Sequence, residues 1–485
     1  MRSLPRLVLF AVTALAAARL AAETAPLAPA TVTAQRPLSI EDFDAWRSLA
    51  SPTLSRDGRW LAYSFMPQDG DGEVILRELA TGREQRLLVG ALPPPPIQPD
   101  EANPDAPPAP RTIRLAFTAD AQHLVASTYP AKAALAAARK AKLAADAMPK
   151  GGLLHVQLAT GAVTTITQVK SFQISTKAGA WLAYLKEAKP EEKKPDPKTD
   201  PASAIAPTPA ANATNRTEED DAAAPTRAGT GARTASANST AKPEFGTDLV
   251  LLDLAAATPS ERTFSDVLDY SLARDGRTLL TTLATKAGTT NGLYVFTPGA
   301  PADKAPSALL AGKGKYLKLT WDREQTQAAF VSDRDDATAK APTFKLYHWP
   351  RGTPAAVELV STTTAHFPTT YSVSDKGILA FSRDGKKLYV PTAPAPKAPR
   401  DPETLPDEDA RVSADLWRWN DDVVQPMQKV RAALERNRTY RGVFDFATAR
   451  YTQLADPSLA TVTLSDDGTR ALGQDDRAYR RRVDY

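Results

Sequence analysis

A short motif of polar turn residues followed by alternating apolar residues recurs along the chain. Its fullest form is Ser-Arg-Asp-Gly before a strand-like run, and seven full or weaker copies lie at residues 55–63, 118–126, 175–184, 273–281, 320–331, 382–390 and 465–472. Asp-Gly between apolar runs is typical of a hairpin whose type I′ turn needs positive φ at both central residues. Each copy therefore predicts two antiparallel strands joined by a tight turn.

A third strand pattern follows the hairpins and ends in another turn, as at residues 75–82 and 154–161. The whole unit recurs about every 50 to 60 residues once insertions are set aside, which is typical of repeat architectures. An all-β fold of four-stranded sheets, the β-propeller, has this pattern. We expect a propeller of about seven blades over residues 37–485. A β-sandwich is the alternative, but it would not repeat one turn motif seven times.

The last two repeats are irregular. After the sixth hairpin, residues 415–419 and 442–446 are both candidates for the third strand. After the seventh hairpin the sequence stops at Tyr485 with no further strand pattern, so the last blade is expected to be incomplete. Because an open propeller would expose a sheet edge, the sequence favours a fragment of a longer polypeptide.

Two short helices are predicted. Residues 131–148 are rich in Ala, Lys and Leu without Gly or Pro, which favours a surface helix. Residues 423–438 form the second, with Asp421 or Asp422 as a possible cap and Pro426 in the first turn. Its apolar positions Met427, Val430 and Leu434 would line one face. We expect that face to pack across the propeller or against a partner domain.

Proline accounts for 41 of the 485 residues, and much of this excess lies in three segments. Residues 90–111 and 389–412 are expected to be proline-rich loops. Residues 186–244 have almost no large apolar side chains and are expected to be disordered, because they cannot bury enough surface to offset chain entropy. Strand-like sequence resumes after each one, so they are interpreted as insertions.

The N-terminus has the pattern of an export signal. Arg2 and Arg6 precede a short apolar run and then small residues, which predicts a signal peptide over residues 1–25 and a linker over 26–36. An uncleaved anchor is the alternative, but Arg19 interrupts the run well before the roughly 20 residues that a membrane span needs. We expect an exported, periplasmic or extracellular protein without stable membrane insertion after cleavage.

Composition excludes several kinds of chemistry. The chain has no cysteine, which removes disulfides, cysteine-ligated zinc, iron–sulfur clusters and thiol catalysis. A net charge of +4 is too balanced to indicate nucleic acid as a partner. The sequence has no Gly-x-Ser-x-Gly, Walker or Gly-x-Gly-x-x-Gly motif in the required context. No cofactor is predicted.

Few residues remain as candidates for a site. His123, His155 and His348 lie in strand patterns and His366 in a loop, so packed or surface roles are expected. The repeated aspartates Asp57, Asp275, Asp384 and Asp467 are assigned to turns rather than to a metal. Three further groups are interpreted as loop, blade-packing and surface residues: the acidic cluster 407–409 beside Arg411, the pair Trp417 and Trp419, and the run 480–482. No catalytic, cofactor-binding or metal-binding residue is predicted.

Two segments carry a resemblance to a known family. Residues 37–46, Pro-Leu-Ser-Ile-Glu-Asp-Phe-Asp-Ala-Trp, lead into the first repeat at 49–63, and residues 415–420 are followed by Gln425-Pro-Met-Gln428 and a helix. Both segments resemble secreted bacterial serine peptidases of the prolyl oligopeptidase family (dipeptidyl or acylaminoacyl peptidase-like). The Asp-Gly repeats alone are also found in other exported propellers. The resemblance spans about residues 36–485, with the proline-rich insertions as departures.

In that family the propeller covers an α/β-hydrolase domain bearing a Ser, Asp and His triad, and it admits only short peptides. No residue of this chain matches the triad motif. The resemblance therefore implies a substrate-gating portion, inactive alone, which passes peptides to a missing or separate catalytic domain. A non-enzymatic exported propeller that binds proteins is the alternative. A catalytic propeller, such as a glycosidase or lyase, would need converging carboxylates or metal ligands that the sequence does not offer.

Overall fold

The computed structural model describes residues 39, 43, 46–93, 112–188, 245–256, 260–398, 416–465 and 468–480. The chain divides into two compact units, residues 1–47 with 67–69 and residues 48–66 with 70–485. In the small unit, the Phe43 and Trp46 rings lie 4.8 Å apart, and the N–H of Gln68 donates to the carbonyl of Trp46. The predicted signal peptide and linker, residues 189–244 of the predicted disordered segment, and the acidic cluster 407–409 lie outside the described residues.

The described residues are mostly β-strands. They form β1 (Arg47–Leu54), β2 (Trp60–Pro67), β3 (Asp71–Glu78), β4 (Glu84–Ala91), β5 (Leu115–Phe117), β6 (His123–Thr128), β7 (Gly152–Gln157), β8 (Ala162–Thr167), β9 (Val169–Ile174), β10 (Trp181–Lys186), β11 (Thr247–Asp253), β12 (Ser260–Leu272), β13 (Leu279–Leu283), β14 (Gly292–Phe296), β15 (Ser307–Ala311), β16 (Tyr316–Trp321), β17 (Gln327–Ser332), β18 (Lys345–Pro350), β19 (Val357–Val360), β20 (Tyr371–Val373), β21 (Ala380–Phe381), β22 (Lys387–Pro394), β23 (Tyr440–Asp445), β24 (Arg450–Gln453), β25 (Thr461–Leu464) and β26 (Ala471–Gln474). Two helices are described, α1 (Lys132–Lys140) and α2 (Gln425–Arg436). The predicted helix over 131–148 is therefore shorter than expected, because residues 141–148 form turns and irregular structure.

The strands form antiparallel meanders in which sequence neighbours pair. The sheets are β1–β4, β5–β8, β9–β15, β16–β19, β20–β24 and the hairpin β25–β26. The seven-stranded sheet contains two repeats, because β12 is shared between them. Val267 of β12 pairs with Thr247 of β11 on one side and with Leu283 of β13 on the other. Asp266, with φ of +57°, lies directly before this double pairing. The predicted all-β, propeller-like fold of seven repeats is confirmed, and the described part of the seventh is one hairpin.

Successive repeats are joined by hydrophobic clusters. One cluster packs Leu76 of β3 against Leu124 of β6, and another packs Val125 of β6 against Leu182 of β10. These four side chains are at most 1% exposed. Burying a Leu or Val side chain contributes about 1.5–3 kcal/mol, so each interface between repeats is a major source of stability. This packing explains the alternating pattern in the sequence, because alternate residues of a strand point to opposite faces of the sheet and so toward different neighbouring repeats.

The hairpin turns differ from the predicted type I′ geometry. In the first turn Gly58 has φ of +70°, whereas Asp57 is not among the residues with positive φ. The N–H of Gly58 donates to the carbonyl of Ser55 at 3.0 Å. This is a type I turn followed by a left-handed residue, and a single positive φ satisfies it. The prediction of positive φ at both central residues was therefore wrong, although the hairpins themselves form.

Three predicted insertions begin later than expected. Lys186, assigned to the disordered segment, is the last residue of β10. Residues 389–394, assigned to a loop from 389 onward, belong to β22, which runs to Pro394. Residues 90 and 91, assigned to a loop, close β4. Pro391 is tolerated in β22 because its carbonyl accepts from the N–H of Ser374, beside the break between β20 and β21. In an antiparallel strand a residue's N–H points to the same side as its carbonyl, so no ladder bond is lost there.

Candidate functional site

The connections between strands define two ends of each sheet. In an antiparallel meander, the first-to-second and third-to-fourth connections lie at one end, and the remaining connections lie at the other. We call these the turn end and the insertion end. The turn end carries the repeated hairpins and short turns. The insertion end carries every long connection: residues 92–114, 129–151, 187–246 and 395–439. All five predicted insertions thus emerge at equivalent ends of the sheets.

The insertion end is tied together by backbone hydrogen bonds between neighbouring repeats. The N–H of Ala91, after the fourth strand of the first repeat, donates to the carbonyl of Pro130 in the second at 3.2 Å. The N–H of Lys132, at the start of α1, donates to the carboxylate of Asp71 at 2.7 Å. Asp71 thus caps α1 from another repeat, since Ala131 has no side chain that could cap it. These hydrogen bonds hold the described ends of the connections in place.

The second helix differs from expectation in what it packs against. It starts after Val424 without a side-chain cap, and it has no buried residue. Met427 is 39% exposed and Val430 is 76% exposed, whereas Leu434 is half-buried. The first two residues of the predicted apolar face therefore do not pack across the sheets, and the alternative of a partner domain stays a prediction. The prediction of Asp421 or Asp422 as its cap was wrong, because the helix begins at Gln425 and the cap position is Val424. Pro426 does lie in the first turn, as predicted.

The tryptophan pair does not pack within a blade. Residues 416–419 form no strand, and the third strand of the sixth repeat is β23, which was the alternative candidate. Trp419 is 97% exposed and Trp417 is 39% exposed, with the Lys429 ammonium 5.1 Å from the Trp417 ring centre. The expectation of blade packing failed because alternation of Trp, Arg and Trp fits an exposed loop as well as a strand. This segment and α2 place an exposed apolar surface at the insertion end.

The repeated aspartates at the turn end serve the turns, as predicted for Asp57, Asp275 and Asp384. The Asp57 carboxylate accepts from the Ser55 hydroxyl at 2.6 Å and from the N–H of Arg59 at 3.1 Å. The Ser55 hydroxyl hydrogen bond is the main reason that the pKa of Asp57 is lowered. Asp384 makes the equivalent bonds to Ser382 and Lys386. Asp467 lies outside the described residues. These carboxylates therefore stabilise the turns.

Two histidines that are far apart in sequence meet across neighbouring strands. His155 Nε2 of β7 lies 2.9 Å from His123 Nδ1 of β6. Burial, followed by the neighbouring His123, lowers the pKa of His155 to about 4. Burial also lowers the pKa of His123, against the opposing charge of Asp120 and a backbone hydrogen bond to Leu254. Sequence reasoning considered only helical spacings and missed this pair, whose only signal was one histidine on each of two adjacent strands.

The other histidines have separate surroundings. His348 lies in β18, and its Nε2 is 2.8 Å from Gln327 Oε1, with the ring 4.7 Å from that of Phe446. Burial lowers its pKa. His366 is an exposed loop residue with φ of +67°. Both placements agree with the packed and surface roles expected from the sequence.

The densest set of charges surrounds Asp335, in the connection between β17 and β18. Its carboxylate accepts from Lys345 Nζ at 2.9 Å, from the Tyr347 hydroxyl at 2.9 Å and from Arg334 Nε at 3.0 Å. These bonds, that of Lys345 first, lower the pKa of Asp335 to about 2. Two cations and one phenol of the same chain therefore donate the hydrogen bonds that this carboxylate accepts. The cluster stabilises the loop and offers no acid or base for catalysis.

Two cavities among the described residues contain no histidine. One of about 300 Å³ is lined by hydroxyls, apolar side chains and one cation: Thr53, Leu54, Arg56, Leu115, Ala116, Phe117, Thr118 and Thr176. The other, of about 410 Å³, lies between the sixth and seventh repeats and includes Lys387 and Asp445. Among the described residues, no three side chains of His, Asp or Glu come close enough to hold a metal ion. Neither cavity therefore places a histidine beside a hydroxyl nucleophile.

Comparison with solved structures finds distant similarities. Solved structures similar to the chain include prolyl oligopeptidases, acylaminoacyl peptidases and related peptidases. A puromycin-hydrolysing peptidase of Mycobacterium tuberculosis is 11% identical with a TM-score of 0.35, and the match covers 90% of this chain and 55% of that one. Prolyl oligopeptidase B of Galerina marginata is 10% identical with a TM-score of 0.35, covering 88% and 46%. The chain thus spans about half the length of these peptidases.

A solved structure that is not a peptidase has a similar TM-score. An oligogalacturonate lyase of Vibrio parahaemolyticus is 10% identical with a TM-score of 0.34, covering 86% of this chain and 79% of that one. No protein-family model and no curated protein matches the sequence. The chain is an all-β, propeller-like protein. Identities and TM-scores this low assign no activity to the chain, so its function has to be inferred from its own residues.

Proposed function

We propose that the chain is the substrate-gating propeller portion of an exported serine peptidase that acts on peptides. The observation that carries the proposal is where the family resemblance falls in the fold. Residues 49–63 form β1, the first hairpin turn and part of β2, at the start of the array. Residues 415–428 lie at the insertion end of the sixth repeat. The two similar segments therefore lie in the first and sixth repeats of a single repeat array, so they support a resemblance of the whole array.

The absence of catalytic machinery from the sequence supports a gating role. The sequence contains no Gly-x-Ser-x-Gly. The buried histidines are engaged with each other or with a glutamine rather than with a serine. A Ser-His pair within hydrogen-bond reach is the minimum for nucleophilic catalysis of this kind. The proposal therefore assigns the chemistry to a catalytic domain that this sequence does not contain.

Export is part of the proposal and rests on residues 1–25. No helix among the described residues is long and apolar enough to cross a membrane. A fusion of the full chain to alkaline phosphatase, which is active only after export, tests this part. Phosphatase activity is expected. Activity that persists when residues 1–25 are deleted would contradict the assignment of the signal.

The gating role is tested on the coding sequence beyond Tyr485. An in-frame continuation encoding Gly-x-Ser-x-Gly is expected. The longer polypeptide should cleave short peptides with a kcat/KM that falls steeply as the peptide lengthens. Equal cleavage of a short peptide and of a folded protein would overturn gating. A stop codon directly after Tyr485, with a stable protein of this length that binds another protein, would favour the non-enzymatic alternative.

A further inference from the structure

An exposed apolar surface at the insertion end has the chemistry of a lipid-binding element. It consists of Leu416, Trp419, Val424, Met427 and Val430, which we call the Trp419 patch. Their exposed fractions are 82%, 97%, 57%, 39% and 76%. Val424, Met427 and Val430 are spaced by three residues at the start of α2, so they lie on one side of the helix. Large apolar side chains this exposed and this close together mark an interaction site.

The charges around the Trp419 patch indicate which kind of partner it would bind. Residues 416–438 carry five cations, Arg418, Lys429, Arg431, Arg436 and Arg438, against three carboxylates. The carboxylates are engaged by the protein. Asp421 accepts from the N–H of Arg418 and from Gln428 Nε2, and Glu435 pairs with Arg438. Lys429 and Arg436 are exposed. The outward charge beside the Trp419 patch is therefore positive.

The chain near its described C-terminal end approaches the same helix, and its Arg480 is paired with Asp476 at 2.7 Å, so it adds no net charge. Arg480 is close enough to Glu435 to help lower the pKa of that carboxyl, after the larger effect of Arg438. Tyr479 beside it is 60% exposed. Tryptophan and tyrosine favour the boundary between lipid headgroups and acyl chains, because their rings are apolar with a polar edge. Cations, aromatics and aliphatics thus occur together here.

We propose that the Trp419 patch and α2 dock the protein onto the surface of an anionic phospholipid bilayer. The helix would lie in the interface plane with Val424, Met427 and Val430 toward the acyl chains and the cations at headgroup level. This is peripheral binding by one short helix and its preceding loop. A helix that lacks a fully buried residue and is flanked by cations suits a lipid surface better than a protein groove. The proposal does not depend on the peptidase assignment.

The absence of cysteine from the sequence makes a site-specific test simple. Val430→Cys carries an environment-sensitive fluorophore on the patch, and Leu88→Cys, at an 80% exposed apolar position on β4, is the matched control. Full-length protein is mixed with vesicles of phosphatidylglycerol and phosphatidylcholine or of phosphatidylcholine alone. Because both labelled proteins contain residues 1–25, any lipid affinity of that segment is common to them.

The expected result is a blue shift of the probe at position 430 with anionic vesicles only, and none at position 88. Adding Arg436→Gln should weaken binding about fivefold, the effect of one cation near an anionic surface, and 0.5 M salt should weaken it further. No shift at position 430 would overturn the proposal, as would an equal shift with phosphatidylcholine alone. A blue-shifted probe without vesicles that depends on protein concentration would also overturn it, and would identify a second copy as the occupant.

Discussion

His155 Nε2 and His123 Nδ1 lie 2.9 Å apart on adjacent strands of the second repeat. The backbone of Leu254, in the third repeat, opposes the lowering of the His123 pKa. A hydrogen bond between the two rings needs one of the facing nitrogens to carry a proton and the other to be unprotonated. A proton added to the accepting nitrogen would break this bond, and burial disfavours a charge on either ring. Burial therefore favours the uncharged pair.

Acid should therefore destabilise the fold through this pair. The pKa of His155 is lowered from its ordinary 6.5 to about 4, so below pH 6.5 the unfolded chain binds more protons and stability falls with pH. Linkage gives a loss of about 2 kcal/mol at pH 5 relative to pH 7. Urea unfolding of wild type and His155→Gln at both pH values measures it. The variant should lose about 2 kcal/mol less than wild type, and an identical loss would contradict the assignment.

A left-handed alanine offers a stabilising substitution. Ala449, between β23 and β24, has φ of +52°, whereas Gly82 and Gly161 hold the equivalent turn positions at +71° and +72°. Because a left-handed conformation strains a residue with a Cβ, Ala449→Gly should raise the free energy of unfolding by about 0.5–1 kcal/mol after the entropy cost of glycine. Thermal unfolding checks this.

The reverse change at Gly82 is the matched control. An added Cβ would meet only the end of the Arg77 side chain, at 3.9 Å, so Gly82→Ala tests backbone strain without a clash. It should lower the unfolding free energy by about 1 kcal/mol. If both substitutions shifted stability in the same direction, the strain argument would fail.

The interfaces between repeats should tolerate little loss of volume. Leu124 of β6 is fully buried in the cluster that joins the first two repeats. Leu124→Ala should therefore cost about 2–5 kcal/mol. Leu88→Ala, at an 80% exposed position, should cost less than about 0.5 kcal/mol. Denaturant unfolding of the two variants, at equal change in composition, separates interface packing from strand propensity. Similar costs would contradict the packing assignment.

A single amide bridges the third and fourth repeats. Gln173 Nε2 donates to the carbonyl of Tyr270 at 3.0 Å, and its Oε1 accepts from the N–H of Leu272 at 2.8 Å. Gln173→Leu keeps the approximate volume but leaves both backbone groups without this partner, which should cost about 2 kcal/mol. Gln173→Glu, which keeps the acceptor alone, should lie between leucine and wild type. A neutral leucine variant would show that the bridge contributes nothing to stability.

The repeated turns explain how much of the fold could be predicted from sequence. Ser55, Asp57 and Gly58 act locally, through hydrogen bonds within five residues, so their pattern predicts the hairpins and hence the repeat array. The type of turn was missed because Asp-Gly suits both a type I′ turn and a type I turn followed by a left-handed glycine.

Features that depend on register could not be predicted in the same way. His123 and His155 are 32 residues apart, and they meet because Val125 pairs with His155 across β6 and β7. The exposure of Trp419 depends on β23, rather than residues 415–419, entering the sheet. Apolar content alone favoured burial of Trp417 and Trp419. Choosing between two candidate strands requires knowing which one has a partner.

The central claim is that this chain gates peptide hydrolysis and does not perform it. The most direct measurement is incubation of the purified full chain with short fluorogenic peptides and esters, with and without a serine-directed fluorophosphonate. The account predicts no hydrolysis above background and no covalent labelling. Hydrolysis abolished by the fluorophosphonate, together with a labelled serine in this chain, would contradict it.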